Sequence, residues 1–415
     1  MTLHAPSRRE LLFASGVLFA WAHLPREARA EGRDPRLLVV VLRGALDGLA
    51  TVAPVGDPDW VRLRGDKALN LDGAASALSL DDFFALNPAM PNLHRIYKAG
   101  QASIVHAVAS PYRERSHFDG QDVLESGLTK PGSADTGWLN RALASLQSAG
   151  RVSDKEAFAV GPVTPLVVRG PAPVLSWTPP KLPPATDDTV MRLLDLYRHT
   201  DSALARALEE RVDLAAIARA GGMDMSPHKP GSPHPQGPGA AVRAYFVEAA
   251  GTAAKFMARD DGPRVGALAF DGWDTHQDEG AANGRLAALL GALDGALGAV
   301  ESGMGSAWKE TAVAVITEFG RTARINGTAG TDHGTATVAL LAGGAIKGGR
   351  VIADWPGLSE AALYQDRDLK PTADLRAILK GVLRDHLRID ERALASNVFP
   401  GSSALRPTNG LVTAA

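Results

Sequence analysis

Short apolar runs alternate with longer amphipathic stretches along most of the chain. The run at 37–42 is unbroken and aliphatic, which is typical of a strand buried on both faces of a parallel sheet. Similar runs predict further strands at 102–108, 157–160, 264–270, 311–317, 335–341 and 349–352. Apolar residues spaced three and four apart predict helices at 90–98, 138–146, 189–208, 239–257, 284–300 and 373–386. This alternation predicts an α/β fold with a doubly wound, mostly parallel central sheet flanked by helices.

The first 30 residues predict a targeting segment that takes no part in the fold. Arg8 and Arg9 precede an apolar run at 11–24. This run is too short and too weakly hydrophobic for an ordinary membrane-spanning helix. An Ala-Arg-Ala tripeptide at 28–30 then supplies a small-residue cleavage site. The order resembles a twin-arginine export signal, which implies recognition by the twin-arginine translocase and a bacterial periplasmic or otherwise exported location. An uncleaved anchor and a Sec-type signal are the alternatives.

Composition narrows the classes of protein. The 415 residues carry 44 Lys plus Arg against 46 Asp plus Glu, so neither a nucleic-acid partner nor a basic membrane patch is indicated. The absence of cysteine excludes disulfides and thiolate metal sites. We expect one domain over 31–415, with a flexible Pro/Gly/His-rich loop inserted at 221–239.

Polar residues cluster where the predicted strands end, and such ends form the ligand crevice of an open α/β sheet. Asp47 follows the first strand and is either a cation ligand or a simple turn or helix cap. Ser116, preceded by Arg115, follows the strand at 102–108. Its hydroxyl is either a nucleophile activated by a metal or base, or an ordinary helix N-cap. His106 is a candidate extra ligand.

Two further segments follow later strands. Asp274 and His276 are two residues apart, so they project to the same side and either bind one metal or hydrogen-bond to each other. After the strand at 311–317 come Glu318 and Arg321, and then an adjacent Asp332 and His333 between glycines. The Asp332–His333 pair can turn toward one ion, and the Arg321 guanidinium offers a planar donor fork for phosphate, sulfate or carboxylate. No P-loop, GxSxG, HExxH or dinucleotide fingerprint is present.

Taken in order, these motifs resemble the domain-of-unknown-function 1501 family over about residues 35–400. They are RGALDG at 43–48, RSHFD at 115–119, WDTH at 273–276, TEFGRT at 317–322 and DHG at 332–334. That family resembles the alkaline phosphatase and sulfatase superfamily, whose members hold divalent metals at strand ends. The resemblance implies an alkaline-phosphatase-like fold and a metal-dependent hydrolase of phosphate or sulfate esters, acting on a small anionic ester.

The resemblance also implies roles for individual residues. The cofactor is a divalent metal ion, with zinc, manganese, iron and calcium all open. One metal would be held by Asp47, Asp332 and His333, with Ser116 as its nucleophile, and Asp274 with His276 would supply a second; Glu318 would ligate a further cation or orient a ligand, and Arg115 and Arg321 would stabilise charge on the transferred group.

Some features depart from the superfamily pattern. The only histidine after His333 is His386, in a predicted helix, which puts a complete second metal site in doubt. The separation of Asp274 and His276 is tighter than usual, and without cysteine a formylglycine sulfatase is excluded. The alternative class is a non-catalytic exported binding or assembly protein that retains the fold, and a redox protein is the third hypothesis.

Overall fold

The computed structural model describes residues 18–22, 33–73, 76–132, 134–148, 165–172, 174–177, 194, 240–260 and 262–413. The predicted strand at 157–160 and the predicted loop at 221–239 lie outside these residues. Of the predicted helix at 189–208, only Leu194 is described.

Two sheets are formed by the described strands. Their bounds are β1 Leu18–Ala22, β2 Arg36–Arg43, β3 Val52–Ala53, β4 Leu78–Ser79, β5 Ala85–Leu86, β6 Ala102–Ala109, β7 Leu175–Trp177, β8 Val265–Asp271, β9 Thr311–Thr317, β10 Thr337–Ala342, β11 Arg350–Ile352 and β12 Ala373–Asp374. The large sheet has the order β11-β6-β10-β9-β2-β8-β1-β7, with β12 paired to β6, and β3-β5-β4 form the small sheet.

The large sheet is mixed but mostly parallel. β2 runs parallel to β8 and to β9, and β6 runs parallel to β11 and to β12. Within the described sheet, β10 and β1 are antiparallel to their neighbours. The predicted α/β class with a mostly parallel central sheet is therefore confirmed.

Helices cover both faces of this sheet. Their bounds are α1 Gly48–Thr51, α2 Trp60–Arg64, α3 Pro91–Lys98, α4 His117–Ser126, α5 Trp138–Ser148, α6 Ala240–Ala258, α7 Arg285–Met304, α8 Leu375–Leu387 and α9 Glu391–Ala393. Leu38, Val40 and Leu42 of β2 share one core cluster with α3, α6 and α7. The alternate residues of β2 share a second cluster with α5 and α8, so the first predicted strand is indeed buried on both faces.

Helix α7 and the turn after it, Arg285–Glu310, have the length and mean hydropathy of a membrane-spanning segment. Half of the most apolar part is buried inside the fold, and the helix contributes Leu290, Leu293 and Leu297 to the core shared with α6. A core helix can have the same length and mean hydropathy as a membrane-spanning one. The packing of α7 against α6 is typical of a core helix.

Strand β1 lies within the predicted export signal. It pairs antiparallel with β8, with Leu18 opposite Ala269 and Ala22 opposite Val265. We expected this segment to lie apart from the fold, whereas the structure adds it to the sheet beside β8. The export signal itself stays a prediction.

The strand directions bring distant segments to one edge of the large sheet. β2, β6, β8 and β9 all run in the same direction, so their carboxyl ends lie along that edge, and antiparallel β10 begins there. The loops after Arg43, Ala109, Asp271 and Thr317, and the loop before Thr337, therefore meet. Apart from His106, which lies within β6, the site residues suggested by the sequence lie in these loops or at the start of the helices that follow them.

Candidate metal centre

Three histidines and one aspartate converge at this edge. One ligand atom from each of His117, Asp274 and His333 lies within 4.8 Å of the others. Asp274 Oδ1 is 3.4 Å from His117 Nε2 and 3.5 Å from His333 Nε2. His276 joins the group, because its Nε2 is 3.1 Å from Asp274 Oδ1 and 2.9 Å from His333 Nε2. Asp274 Oδ1 thus faces the Nε2 atoms of all three histidines.

The other ring nitrogen of each histidine is held by an oxygen. His117 Nδ1 lies 2.9 Å from Glu318 Oε1, and His276 Nδ1 lies 3.3 Å from Asp332 Oδ1. His333 Nδ1 donates to the carbonyl oxygen of Arg115 at 2.7 Å. Since these oxygens accept hydrogen bonds, each Nδ1 carries a proton, so in the neutral ring each Nε2 presents its lone pair inward, which is how metal-binding histidines are oriented.

Two observations indicate that these residues fit a cation. The Nε2 atoms of His276 and His333 face each other at 2.9 Å, and two lone pairs this close need a proton or a cation between them. His117 Nε2 is buried and has no hydrogen-bond partner in the described structure. Buried polar atoms are otherwise almost always paired. His117 Nε2 thus lacks a hydrogen-bond partner, and the His276–His333 pair needs a proton or a cation between its two nitrogens.

Charge around Asp274 supports the same conclusion. Burial opposes ionisation of its carboxyl, but the nearby His117 and His333 imidazoles and the Arg321 guanidinium hold its pKa far below the usual value. For His117, burial favours the neutral ring, but Asp274 and Glu318 raise its pKa to about 9. The metal-free site therefore balances its carboxylates with protons on imidazole, and a divalent cation would take the place of those protons.

Glu318 is fully buried and acts on His117. Its Oε1 accepts hydrogen bonds from the Gly44 N–H at 2.9 Å, from His117 Nδ1 and from Gln121 Nε2 at 3.2 Å, and its Oε2 accepts from the Thr317 hydroxyl at 2.9 Å. Of the two roles that the sequence left open, this geometry matches orientation of a ligand.

Asp332 lies beside His276 at the solvent-exposed side of the centre. Its side chain is 52% exposed, and its Oδ1 also accepts from Asn326 Nδ2 at 3.1 Å. The structure thus brings Asp332 into contact with His276, and not into the group formed by Asp274 and the three Nε2 atoms.

Both arginines suggested by the sequence pair with acidic groups of the protein. The buried Arg321 donates to Asp274 Oδ1 at 2.6 Å and to the Ala45 carbonyl oxygen at 3.0 Å. Arg115 pairs with the buried Asp368 at 2.7 Å, and its backbone lies in the left-handed region at φ 62°. The Arg115 carbonyl oxygen accepts from His333, so Arg321 binds a donor of the centre through its side chain and Arg115 binds one through its backbone.

Asp47 is used elsewhere. Its Oδ2 pairs with Arg64 Nη1 at 2.5 Å, and its Oδ1 accepts from Arg64 Nη2 and from the Ala50 N–H, both at 3.0 Å. It caps α1, the alternative that the sequence had left open. Among the described residues, Asp47 stands outside the group of convergent donors.

Ser116 and His106 lie on the segment that leads to His117. Ser116 is the N-cap of α4 without a side-chain capping bond, and its N–H donates to the Tyr112 hydroxyl at 3.2 Å. His106 is buried, and burial lowers its pKa to about 4. Its Nε2 contacts the Val52 carbonyl oxygen and its Nδ1 accepts from Ala107 N–H, so both ring nitrogens are already used.

With this geometry established, comparison with known proteins identifies the family. Residues 34–398 match the family model described as "Protein of unknown function (DUF1501)". The chain belongs to the DUF1501 family. No curated protein and no solved structure matches it. The family predicted from the motifs is confirmed, and all four convergent donors lie within the matched DUF1501 region.

Sequence reasoning missed one donor, His117. The residue was part of the quoted motif, but the chemistry was assigned to its neighbours Arg115 and Ser116. A signal was available, since His117 is the first residue of a helix that follows a buried strand, and that places its ring at the edge where Asp274 and His333 also lie.

Proposed function

We propose that this protein is an exported, metal-dependent hydrolase of phosphate or sulfate esters with an alkaline-phosphatase-like fold. One divalent cation would be held by His117, Asp274, His276 and His333. The observation that carries the proposal is the convergence of three oriented Nε2 atoms on one carboxylate oxygen, with each Nδ1 fixed from behind.

The donor set narrows the choice of metal. Three imidazoles and one carboxylate suit zinc, iron or manganese. Calcium prefers six to eight oxygen ligands, so the histidine-rich set argues against it. The side chains of His276 and Asp274 are 39% and 43% exposed, which leaves a solvent-facing side for a substrate. A catalytic site needs such an open position, whereas a purely structural site is closed.

A bound cation would supply Lewis acidity and favour deprotonation of a nearby hydroxyl. Ser116 is the nucleophile in this proposal, because it precedes His117 and stands at the start of α4, where the helix dipole favours an anionic group. Its Oγ would bond to phosphorus or sulfur as the bond to the alcohol oxygen breaks, the serine proton passing to solvent and the departing oxygen taking a proton from solvent. A water molecule would then displace Ser116 Oγ, releasing phosphate or sulfate and restoring the serine hydroxyl. His117 would orient the reacting segment through its hydrogen bond to Glu318.

Elemental mass spectrometry of the purified protein tests the centre. We expect about one equivalent of a transition metal in the wild type and its loss in an Asp274→Ala, His333→Ala double variant. The control is His94→Ala, since His94 bonds to the Ser79 carbonyl oxygen on an exposed surface. Absence of stoichiometric metal from the wild type, even after reconstitution, would overturn the proposal.

Hydrolysis is tested with a panel of phosphate and sulfate esters. Ser116→Ala should lose turnover and keep its metal, whereas Ser116→Thr keeps a hydroxyl and should retain part of the activity. Equal turnover in Ser116→Ala and wild type would remove the serine from the mechanism and leave the metal centre in place.

The pairing of both arginines with acidic side chains favours a second candidate function, that of a non-catalytic exported binding or assembly protein. Hydrolysis of an anionic ester gains from cationic donors aimed at the transferred group, but Arg321 is paired with Asp274 and Arg115 with Asp368. A protein that binds one equivalent of metal and hydrolyses none of the esters would support this candidate.

A further inference from the structure

Two loops supply three of the four donors of the candidate centre. Asp274 and His276 lie in the loop after β8, whereas His333 lies in the loop before β10, 57 residues beyond His276. The donors can converge only if the two loops are held at a fixed separation, because a metal site tolerates displacements of about half an ångström.

Glu279 contacts both loops through its carboxylate. Its Oε1 accepts a hydrogen bond from the Thr275 hydroxyl at 2.8 Å, and its Oε2 accepts one from the Thr331 hydroxyl at 2.7 Å. Thr275 stands between Asp274 and His276, and Thr331 is two residues before His333. All three side chains of this link are completely buried. Each carboxylate oxygen therefore holds one loop.

The loops also touch through their backbones at the same place. The Thr331 N–H donates to the Thr275 carbonyl oxygen at 3.2 Å, and Asn326 Nδ2 donates to the His276 carbonyl oxygen at 3.0 Å. A Cβ added at Gly330 would lie 2.3 Å from the His276 carbonyl carbon. The two loops are therefore in direct contact beside the two threonines that Glu279 binds.

The surroundings of the Glu279 carboxylate disfavour its ionised form. Burial and the nearby Asp47 raise the pKa of Glu279 to about 7, while Arg64 and the two threonine hydroxyls oppose the rise. A link between two loops needs no ionisable group, since neutral side chains can hydrogen-bond equally well without the penalty of burying a carboxylate. A carboxylate differs in having two acceptor oxygens, so Glu279 binds a hydroxyl from each loop at once, whereas a glutamine side chain has a single acceptor atom.

We infer that Glu279 is a positioning residue for the metal centre, which sets the separation of the Asp274–His276 and His333 segments through Thr275 and Thr331. This inference rests on the metal centre of the proposed function. It assigns Glu279 no contact with the metal or the substrate.

Matched threonine variants test it. Thr275→Val and Thr331→Val remove a hydroxyl at nearly constant shape, and Thr275→Ser and Thr331→Ser keep it. In Co²⁺ titrations of the metal-free full chain, followed by visible absorption, we expect the valine variants to bind about tenfold more weakly with an altered spectrum. The serine variants should stay within about twofold of wild type and keep its spectrum.

Asp294→Asn controls for a general loss of stability. Asp294 is another buried carboxylate, which accepts from the Leu93 N–H at 2.8 Å and so joins α7 to α3 away from the centre. This variant should be less stable and should bind Co²⁺ as the wild type does. A valine variant that loses no more affinity than Asp294→Asn, or a serine variant as weak as its valine counterpart, would overturn the inference.

A second readout keeps the two proposals separate. The ¹⁵N resonances of the His276 and His333 rings are recorded in the metal-free protein, where the valine variants should shift them and the serine variants should not. If the wild type binds no Co²⁺, the proposed metal centre fails, and these resonances still decide the role of Glu279. Unchanged ring resonances in both valine variants would refute it.

Discussion

Asp47 and Asp274 follow the neighbouring parallel strands β2 and β8, and each pairs with a buried arginine, yet they do different work. Asp47 is 1% exposed and gives both oxygens to Arg64. Asp274 is 43% exposed and gives one oxygen to Arg321, and that oxygen also faces three imidazoles. A carboxylate at a strand end is therefore an ambiguous signal, and the partners on its two oxygens decide between a structural link and a ligand.

The same substitution at both aspartates should separate stability from metal binding. Asp47→Asn leaves Arg64 as an uncompensated buried charge, and we expect it to lower the free energy of unfolding by about 3–5 kcal/mol. Urea denaturation of the metal-free protein measures this loss. Folded Asp47→Asn should still bind metal with wild-type stoichiometry. If its stability is unchanged, the Asp47–Arg64 pair does not hold this edge of the sheet.

Asp274→Asn should act mainly on metal affinity. We expect a loss of more than about 100-fold, or about 2.7 kcal/mol, because a direct ligand should count for more than the groups that orient ligands. The loss of stability should be smaller than for Asp47→Asn, since the Asp274 side chain is partly exposed and Arg321 keeps the Ala45 carbonyl. Competition titration with a chelator measures the affinity, and wild-type affinity would exclude Asp274 from the centre.

Glu318→Gln should have the next largest effect. The amide cannot accept from His117 with a full negative charge, so the ring is less firmly oriented and less basic. We expect about 10- to 100-fold weaker metal binding, with the stoichiometry unchanged. The same chelator competition measures it. Complete loss of metal would instead indicate that Glu318 is itself a ligand.

Glu279 is a buried carboxylate near Asp47 and Arg64, and its titration should be visible in the free energy of unfolding. Its pKa is raised from 4.5 to about 7, so its contribution is fully present below pH 4.5 and is lost as the pH rises through about 7. We expect the unfolding free energy of the metal-free wild type to fall relative to Glu279→Gln by up to about 1.4 kcal/mol per pH unit in this window. Urea denaturation at several pH values checks this, and a constant difference between the two proteins would contradict it.

The sheet was largely predictable from the sequence, because burial on both faces requires continuous apolar runs. The run at 311–317 coincides with β9, and the run at 37–42 lies within β2. The antiparallel direction of β10 could not be read in this way, since an apolar run has no direction. Nor could the pairing of β1 with β8, because its residues also satisfy the pattern of an export signal.

The site was predictable only in part. Asp274, His276 and His333 were expected near a metal, since their spacing and their place at strand ends are local features. The partner of Asp47 is 17 residues away on α2, and the partner of His117 is 201 residues away at Glu318. The identity of these hydrogen-bond partners depends on how the helices pack against the edge of the sheet. The burial of Arg321 is likewise a tertiary property. Because of it, the guanidinium that the sequence suggested for binding an anion donates instead to Asp274.

The sheet order also affects how the protein is made. β2 is synthesised early but pairs on both sides with strands that leave the ribosome much later, β8 and β9. Most of its hydrophobic surface stays without a native partner until about residue 317 has been added, and contacts this distant in sequence form slowly. The nascent chain therefore exposes an aggregation-prone surface during much of translation. The edge that carries the candidate metal centre also needs residue 333, so it can be assembled only late in synthesis.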